Sequence, residues 1–193
     1  GMEQPFSSLT AYAGNGIVNL TIMLLIIIGG LGFITWEDIR EHGIHIRKYR
    51  MQSKVILATT AILILIPAIC FFFVDFAEYP MKERILVSLF QAVTPRTAGF
   101  NTVDLNSMTD GGIGVTIFLM LIGGSPSSTA GGMKTTTIAV LVVTAIAVFR
   151  REESPVVFGR RISEVAIKHA VAVLLLYLGL FLGGALVISE IEK

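Results

Sequence analysis

One stretch of the sequence limits the possible folds more than any other. Residues 111–149 contain a single charged side chain, Lys134, in 39 residues. One straight α-helix of that length would measure about 58 Å, roughly twice the hydrocarbon thickness of a bilayer. The run GGSPSSTAGG, residues 123–132, interrupts it with poor helix formers. We therefore predict two half-helices, residues 111–122 and 133–149, around a loop at membrane depth. A small-residue contact between two continuous helices is the alternative.

The composition excludes several classes of protein. Hydrophobic residues make up 53% of the 193 residues and charged residues only 15%, against about 25% charged in soluble domains. A net charge of +1 leaves no basic surface for nucleic acid. The single cysteine, Cys70, excludes a disulfide scaffold and a cysteine-based zinc site. The sequence contains no Ser-His-Asp or paired-carboxylate pattern of the kind that would indicate an enzyme. The sequence predicts an integral membrane protein whose surroundings are the lipid bilayer.

Three other charge-poor stretches are each long enough to cross a bilayer: residues 17–36, 55–74 and 170–188. With the broken stretch they make four transmembrane helices, so the predicted fold class is an all-α membrane protein. Residues 37–54 and 150–161 hold nine Lys and Arg, whereas residues 75–104 hold three. Because basic loops stay on the cytoplasmic side, we predict that these two segments are cytoplasmic in a multi-pass plasma-membrane protein.

Residues 82–101 are too short and too polar to span a bilayer, yet residues 84–93 would form about three helical turns. Pro95 cannot continue that helix, and a run around Gly99 follows it. Helix, proline and glycine in this order between two spans predict a re-entrant pore loop. Its backbone carbonyl oxygens could replace the water around a cation. An amphipathic hairpin lying in the membrane interface is the alternative.

Two motifs resemble a known family. The run FQAVTPRTAGFNTVD, residues 90–104, resembles the third pore-loop region of the Trk/Ktr/HKT superfamily of potassium transporters, nearest to the Ktr branch. The run GGSPSSTAGGMKTTT, residues 123–137, resembles the intramembrane gating loop of the third repeat in that superfamily. Both motifs occur in the order and at the spacing of the family.

The resemblance implies a pore built from four repeats of helix, pore loop and helix. Residues 1–36 would be the last helix of the second repeat, and residues 37–53 a cytoplasmic linker. Residues 54–149 would form the complete third repeat, with its pore helix, filter and broken helix. Residues 150–161 would be a second cytoplasmic linker, and residues 162–193 the first helix of the fourth repeat. The chain would then be a fragment that holds one quarter of a selectivity filter.

The resemblance also implies roles for individual residues. Asp104 together with Asn101 would line the outer mouth, although Asp104 could instead cap the next helix. Lys134 would set an electrostatic barrier or pair with a carboxylate elsewhere; snorkelling to the interface is the alternative. Arg96 would brace the pore loop or remain solvated. The filter would use the backbone carbonyls of Thr97, Ala98, Gly99 and Phe100, and the gating loop would comprise Gly123, Gly124, Ser125, Pro126, Ser127, Ser128, Thr129, Ala130, Gly131, Gly132 and Lys134. Of these, Ser125, Ser127, Ser128 and Thr129 would line the pore.

The function implied is potassium uptake, with K⁺ and conceivably Na⁺ as the transported ion and no covalently bound cofactor. A homodimer and a cytosolic nucleotide-binding regulatory subunit would be the partners, the latter docking on residues 40–54 and 150–161. One alternative is a secondary transporter that binds a small anionic solute at the half-helix ends. Another is a truncated membrane protein that transports nothing.

Two histidines, His42 and His45, lie beside three carboxylates in the first predicted cytoplasmic segment. They could bind a metal or sense pH, or simply belong to a solvated linker.

Overall fold

The computed structural model describes residues 8–152 and 154–191 of the chain. The described part is helical apart from one short antiparallel hairpin, which confirms the all-α prediction in its main feature. The hairpin pairs β1, Val156–Val157, with β2, Arg160–Arg161. The α-helices, numbered in chain order, are α1 Gly16–Gly30, α2 Phe33–His42, α3 Met51–Phe73, α4 Met81–Val93, α5 Asp110–Leu121, α6 Thr135–Phe149 and α7 Glu164–Ile191.

Two of these helices, α3 and α7, are individually long and apolar enough to cross a bilayer. The pair α1 and α2 qualifies only as one span bent by 99°, which brings the count within the described residues to at most three. Helices α5 and α6, of 12 and 15 residues, are each too short to cross alone. The predicted total of four transmembrane helices is therefore not confirmed by helix length, although α5 and α6 occupy the predicted half-helices.

The prediction that residues 17–36 form a single helix is wrong. Helix α1 ends at Gly30 and α2 begins at Phe33, at an angle of 99°. Gly32, between them, has a φ of +80°, a conformation that only glycine adopts easily. Three of residues 29–32 are glycine, so the stretch is free of charge and nevertheless a poor helix. The absence of charge indicates an apolar segment and carries no information about its bend.

Helix α4, the predicted pore helix, packs between α1 and α3. Val87 belongs to a cluster of buried side chains that also includes Phe71 on α3 and Leu119 on α5. Phe90 packs in a second cluster with Met23 of α1. The exposed fraction of both α4 side chains is 0%. Such burial favours a helix packed inside the protein over an amphipathic hairpin at the membrane interface, and it holds the carboxyl end of α4 in a fixed place.

On the predicted cytoplasmic side, Asp38 ties α2 to the start of α3. Its carboxylate is fully buried, accepts the backbone N–H of Arg50 at 2.9 Å and lies 3.5 Å from Arg50 Nε. Burial alone would raise the pKa of Asp38, but the Ser53 hydroxyl and the N–H and charge of Arg50 outweigh it and lower the pKa below its usual value. Glu41 and His42 come close to this carboxylate. Arg50 also pairs with Glu37 at 2.8 Å, so its guanidinium joins two carboxylates of α2 to the start of α3.

The depressed pKa makes a stability prediction. Replacing Asp38 with Asn in the full-length protein removes a charged acceptor, and we expect the free energy of unfolding to fall by about 1–3 kcal/mol. A lowered pKa means that this contribution is fully present above the unfolded-state pKa near 4 and is lost only as the pH falls through the folded-state value. Thermal unfolding in detergent should therefore show a constant deficit between pH 5 and 8. A deficit that disappears between pH 7 and 5 would contradict the assignment.

Candidate functional site

The loop after α4 has an unusual backbone. Thr97 has a φ of +74° and Gly99 a φ of +76°, whereas Ala98 between them does not have a positive φ. A positive φ is uncommon for any residue with a Cβ and costs about 1–3 kcal/mol where it persists. It is especially unfavourable for a β-branched threonine. Neighbouring contacts must therefore hold the loop in this shape.

Thr94 provides most of those contacts. Its backbone carbonyl accepts the N–H of Ala98 at 3.2 Å and that of Gly99 at 3.1 Å. Its hydroxyl donates to the carbonyl oxygen of Phe100 at 2.6 Å, so Thr94 bridges both ends of the loop. The side chain is 3% exposed. No role for Thr94 is predicted from the sequence. Its position directly before Pro95, at the end of a predicted helix, is the sequence feature that could have indicated its role in holding the loop.

Four successive carbonyl groups in this loop accept no hydrogen bond from the residues that the structure describes. Among the described residues, nothing donates to the backbone oxygens of residues 96–99, while the oxygens of Pro95 and Phe100 on either side each accept a bond. Of the four predicted filter residues, Thr97, Ala98 and Gly99 thus present free carbonyls, whereas the Phe100 carbonyl has one lone pair engaged by Thr94. Free backbone oxygens in a row are the ligands that a dehydrated monovalent cation needs.

Thr97, Ala98 and Gly99 line a cavity of about 440 Å³ between the loop and α5. Gln91 of α4 and Thr116 of α5 line it and are joined by a hydrogen bond of 3.3 Å. Thr97 and Gly99 are exposed. This loop, called the filter loop below after its predicted role, therefore faces open space on one side and is anchored to the buried helix α4 on the other.

The two residues predicted at the outer mouth are held differently. Asn101 has both backbone groups engaged: its N–H donates to Ser8 Oγ at 3.2 Å and its carbonyl accepts the N–H of Leu9 at 2.8 Å. Asp104 is exposed, and its carboxylate accepts the N–H of Asn106 at 3.0 Å, which caps a short 3₁₀ turn. The capping alternative for Asp104 is thus correct in kind, although the next α-helix, α5, is capped by another residue, Thr109.

The loop between α5 and α6 confirms that residues 111–149 do not form one helix. Its neck is closed by two backbone hydrogen bonds, from Gly123 N–H to the Met133 carbonyl at 2.9 Å and from Met133 N–H to the Leu121 carbonyl at 3.3 Å. A Cβ at Gly123 would lie 1.7 Å from the carbonyl oxygen of Gly131. Only glycine allows the two strands of the neck to approach so closely.

The tip of this loop, called the gating loop below after its predicted role, docks into the break between α1 and α2. Ser125 N–H donates to the Gly30 carbonyl at 2.9 Å, and Phe33 N–H donates to the Ser127 carbonyl at 3.0 Å. A Cβ at Gly32 would lie 2.2 Å from the Pro126 oxygen. This contact was not predicted, because residues 17–36 were expected to form one helix. The glycines of residues 29–32 were the signal that could have revealed it.

The loop side chains divide into two groups. Ser125 is fully buried and its hydroxyl lies 3.0 Å from that of Thr135, so the prediction that Ser125 lines the pore is wrong in this conformation. Ser127 and Thr129 are exposed and Ser128 is partly buried. Lys134 Nζ donates to the Ala130 carbonyl at 2.8 Å. Within the described residues the lysine is therefore satisfied by the loop backbone rather than by a carboxylate.

The filter loop and the gating loop meet at a small cavity of about 170 Å³. Arg96, Thr97 and Ala98 line one part of it, and Thr129 and Ala130 of the gating loop line another. Residues of α1 complete the wall. The structure thus brings together the two motifs that the sequence singled out, about 30 residues apart, and places α1 beside both.

The docked position of the gating loop makes a prediction about Gly32. Changing Gly32 to Ala in the full-length protein combines an unfavourable φ with a collision against Pro126, and we expect a loss of about 2–5 kcal/mol in the free energy of unfolding. Gly43 is a matched control at the other end of α2, because its φ is +54° and no atom lies within 4 Å of the place where a Cβ would be added. Changing Gly43 to Ala should cost only about 1–2 kcal/mol. Equal thermal midpoints for the two variants would contradict the docking.

Comparison with known proteins places this arrangement in a family. The sequence model of the TrkH family, described as a cation transport protein, matches residues 3–192. The potassium/sodium uptake protein NtpJ of Enterococcus hirae is 36% identical over all of this chain and 44% of its own length. The Ktr system potassium uptake protein B of Bacillus subtilis is 36% identical over 95% of this chain and 43% of its own length. The chain thus spans less than half of these relatives.

A solved structure supports the same fold. The crystal structure of the potassium transporter TrkH from Vibrio parahaemolyticus superposes with a TM-score of 0.63 over 90% of this chain and 37% of that chain, at 22% sequence identity. The family match spans the two loops described above. The chain belongs to the TrkH family of cation transport proteins.

Proposed function

We propose that this chain forms one repeat, with its flanking helices, of a pore through which potassium ions enter the cell. The observation that carries the proposal is the row of free backbone carbonyls at residues 96–99, held at the end of a buried pore helix and directly next to the gating loop. The names of the relatives, which include a potassium/sodium uptake protein and a potassium uptake protein, support the choice of ion.

The chemistry of the filter would come from the backbone. The carboxyl end of α4 carries a partial negative charge that favours a cation nearby. Residues 85–103 contain no Asp or Glu, so carbonyl dipoles rather than carboxylates would coordinate the ion. A filter requires a ring of such carbonyls, and this chain contributes one side of it. The remaining sides would come from the other repeats of a protein about twice this length, as in the relatives.

The gating loop would act in series with the filter. In the conformation observed, its tip is bound to the α1–α2 break by two backbone hydrogen bonds. Each such bond contributes about 1 kcal/mol net, so the loop can move without unfolding the helices on either side. Lys134, at the start of α6, places a positive charge beside the loop and would raise the barrier for a cation while the loop is docked.

The partners and orientation belong to the same proposal. The basic segments, residues 37–54 and 150–161, would face the cytoplasm of a cell with this protein in its plasma membrane. The second segment includes the hairpin of β1 and β2, whose Arg160 and Arg161 are exposed. A cytosolic nucleotide-binding subunit docked there could pull on α6 and so move the gating loop. The assembled pore protein would be a homodimer.

Ion uptake by the full-length protein in liposomes tests this function. We expect uptake of K⁺ that exceeds uptake of Na⁺ under equal gradients, with protein-free liposomes as the control. Uptake of a small organic anion in place of either cation would support the alternative of a secondary transporter that uses the half-helix ends of α5 and α6. No uptake of any of these solutes would support the alternative of a membrane protein that does not transport.

A further inference from the structure

Arg96 carries a positive charge that is buried beside the predicted pore loop, and no group of that loop pairs with it. It follows directly after Pro95, and its exposed fraction is 7%. Within residues 8–152 and 154–191, its guanidinium forms no hydrogen bond or ion pair, and its Nε is completely enclosed without a partner. Most of the Arg96 side chain is therefore shielded from water within the described residues, and hydration of its terminal nitrogens stays a prediction. The alternative prediction, that it braces the pore loop, requires something for it to hold.

Burial makes this charge expensive. A guanidinium taken out of water is stable only where an anion or several acceptors replace the lost hydration. Further protein around this chain can only increase the burial of Arg96 and cannot return it to water. An added carboxylate would compensate this charge, and water in the adjoining cavity is the alternative that the test below distinguishes.

The surroundings show where such a group would fit. Arg96 lines the cavity of about 170 Å³ shared by the filter loop and the gating loop. This volume is about five times the share of one water molecule in the liquid, which is enough for a carboxylate with a water. No residue lining the cavity is acidic; the others are Leu25, Ile26, Gly29, Gly30, Thr97, Ala98, Thr129 and Ala130. The nearby Lys134 adds positive charge and donates to Ala130.

We propose that an Asp or Glu from another repeat of the pore, outside this 193-residue chain, enters this cavity and pairs with Arg96. The proposal rests on the proposed function, because it needs the further repeats of a larger pore. A guanidinium offers a planar pair of donors that matches a carboxylate. The pair would fix the backbone immediately before the free carbonyls of Thr97 and Ala98. Arg96 is thus a positioning residue that joins this filter quarter to another repeat.

Thermal unfolding of the full-length Arg96→Met variant tests the pair through the sign of its effect. If a carboxylate is present, methionine leaves it buried and unpaired, and the midpoint should fall by several degrees. If Arg96 has no partner, methionine relieves a buried charge and the midpoint should stay constant or rise, which would overturn the proposal. Arg40→Met is the matched control, since Arg40 on α2 is exposed and forms no ion pair in the described structure; its midpoint should not change.

Charge exchange identifies the partner and covers the case in which Arg96→Met does not accumulate. Arg96→Glu is combined in turn with an Arg substitution at each acidic residue of the full-length protein, both outside this chain and within it, and folded protein is measured by size-exclusion fluorescence. Recovery with an acidic residue outside this chain supports the proposal. Recovery only with an acidic residue inside this chain, or with none, overturns it. Because both readouts report folding rather than ion flux, this proposal can fail while the proposed transport function stands.

Discussion

Deleting residues 125–129 from the full-length protein is expected to raise its potassium flux about tenfold or more. The deletion removes the two backbone hydrogen bonds that dock the loop on Gly30 and Phe33. Together they contribute about 2 kcal/mol, and 1.4 kcal/mol corresponds to a factor of about ten in the open population. The ends left behind are already neighbours, because a Cβ at Gly124 would lie 2.5 Å from that of Ala130. The shortened loop can therefore close without moving the backbone of the neck between Gly123 and Met133.

A length-preserving variant is the control for the deletion. Changing Ser127 and Thr129 together to Ala removes two exposed hydroxyl groups and keeps both docking hydrogen bonds, which are made by the backbone. We expect its potassium flux to stay within about threefold of the wild type, since surface substitutions shift free energies by about 0.5 kcal/mol. If deletion of residues 125–129 leaves the flux unchanged at equal protein amounts, the loop does not gate the pore.

Replacing Gly99 with Ser is expected to lower the K⁺ over Na⁺ uptake ratio of the full-length protein by about tenfold. The φ of Gly99 is +76°, and a residue with a Cβ would pull this backbone away from the observed angle. The strain of about 1–2 kcal/mol would displace the free carbonyl oxygens of the loop. A change of this size in their interaction with the ion corresponds to roughly a tenfold change in the affinity for K⁺ relative to Na⁺. No atom lies within 4 Å of the added Cβ position, so steric collision is not the cause.

Gly159 provides a control with the same backbone strain. Its φ is +78° and its Cβ position is equally open, but it lies in the turn between β1 and β2. Gly159→Ser should therefore lower stability by a similar amount without changing the K⁺ over Na⁺ ratio. A ratio that both variants lower equally would show that general destabilisation, and not the filter carbonyls, causes the effect of Gly99→Ser.

The sequence alone was sufficient where the pattern is local. The breakers at residues 123–132 stand within a stretch too long for one membrane helix, and the structure interrupts the helix there, between Leu121 and Thr135. Pro95 was predicted to end the pore helix, and α4 ends at Val93. In both places the deciding property, backbone conformational preference, belongs to the residues themselves.

The contacts between distant segments could not be predicted in the same way. The docking of Ser125 on Gly30 and of Ser127 on Phe33 joins segments far apart in the chain through backbone atoms, which carry no sequence signature. The burial of Ser125 against Thr135 follows from that docking. The orphaned guanidinium of Arg96 became visible only when the structure showed which side chains surround it.

The central claim is that a carbonyl filter at residues 97–99 selects the ion and that the gating loop separately limits its rate. The most direct measurement is the K⁺ over Na⁺ uptake ratio of the full-length protein lacking residues 125–129, with and without Gly99→Ser, in liposomes. We predict a high flux in both, with the wild-type ratio when Gly99 is retained and a ratio about tenfold lower when it is replaced. A loop deletion that abolishes selectivity by itself, or a ratio insensitive to Gly99→Ser in the deleted protein, would contradict this claim.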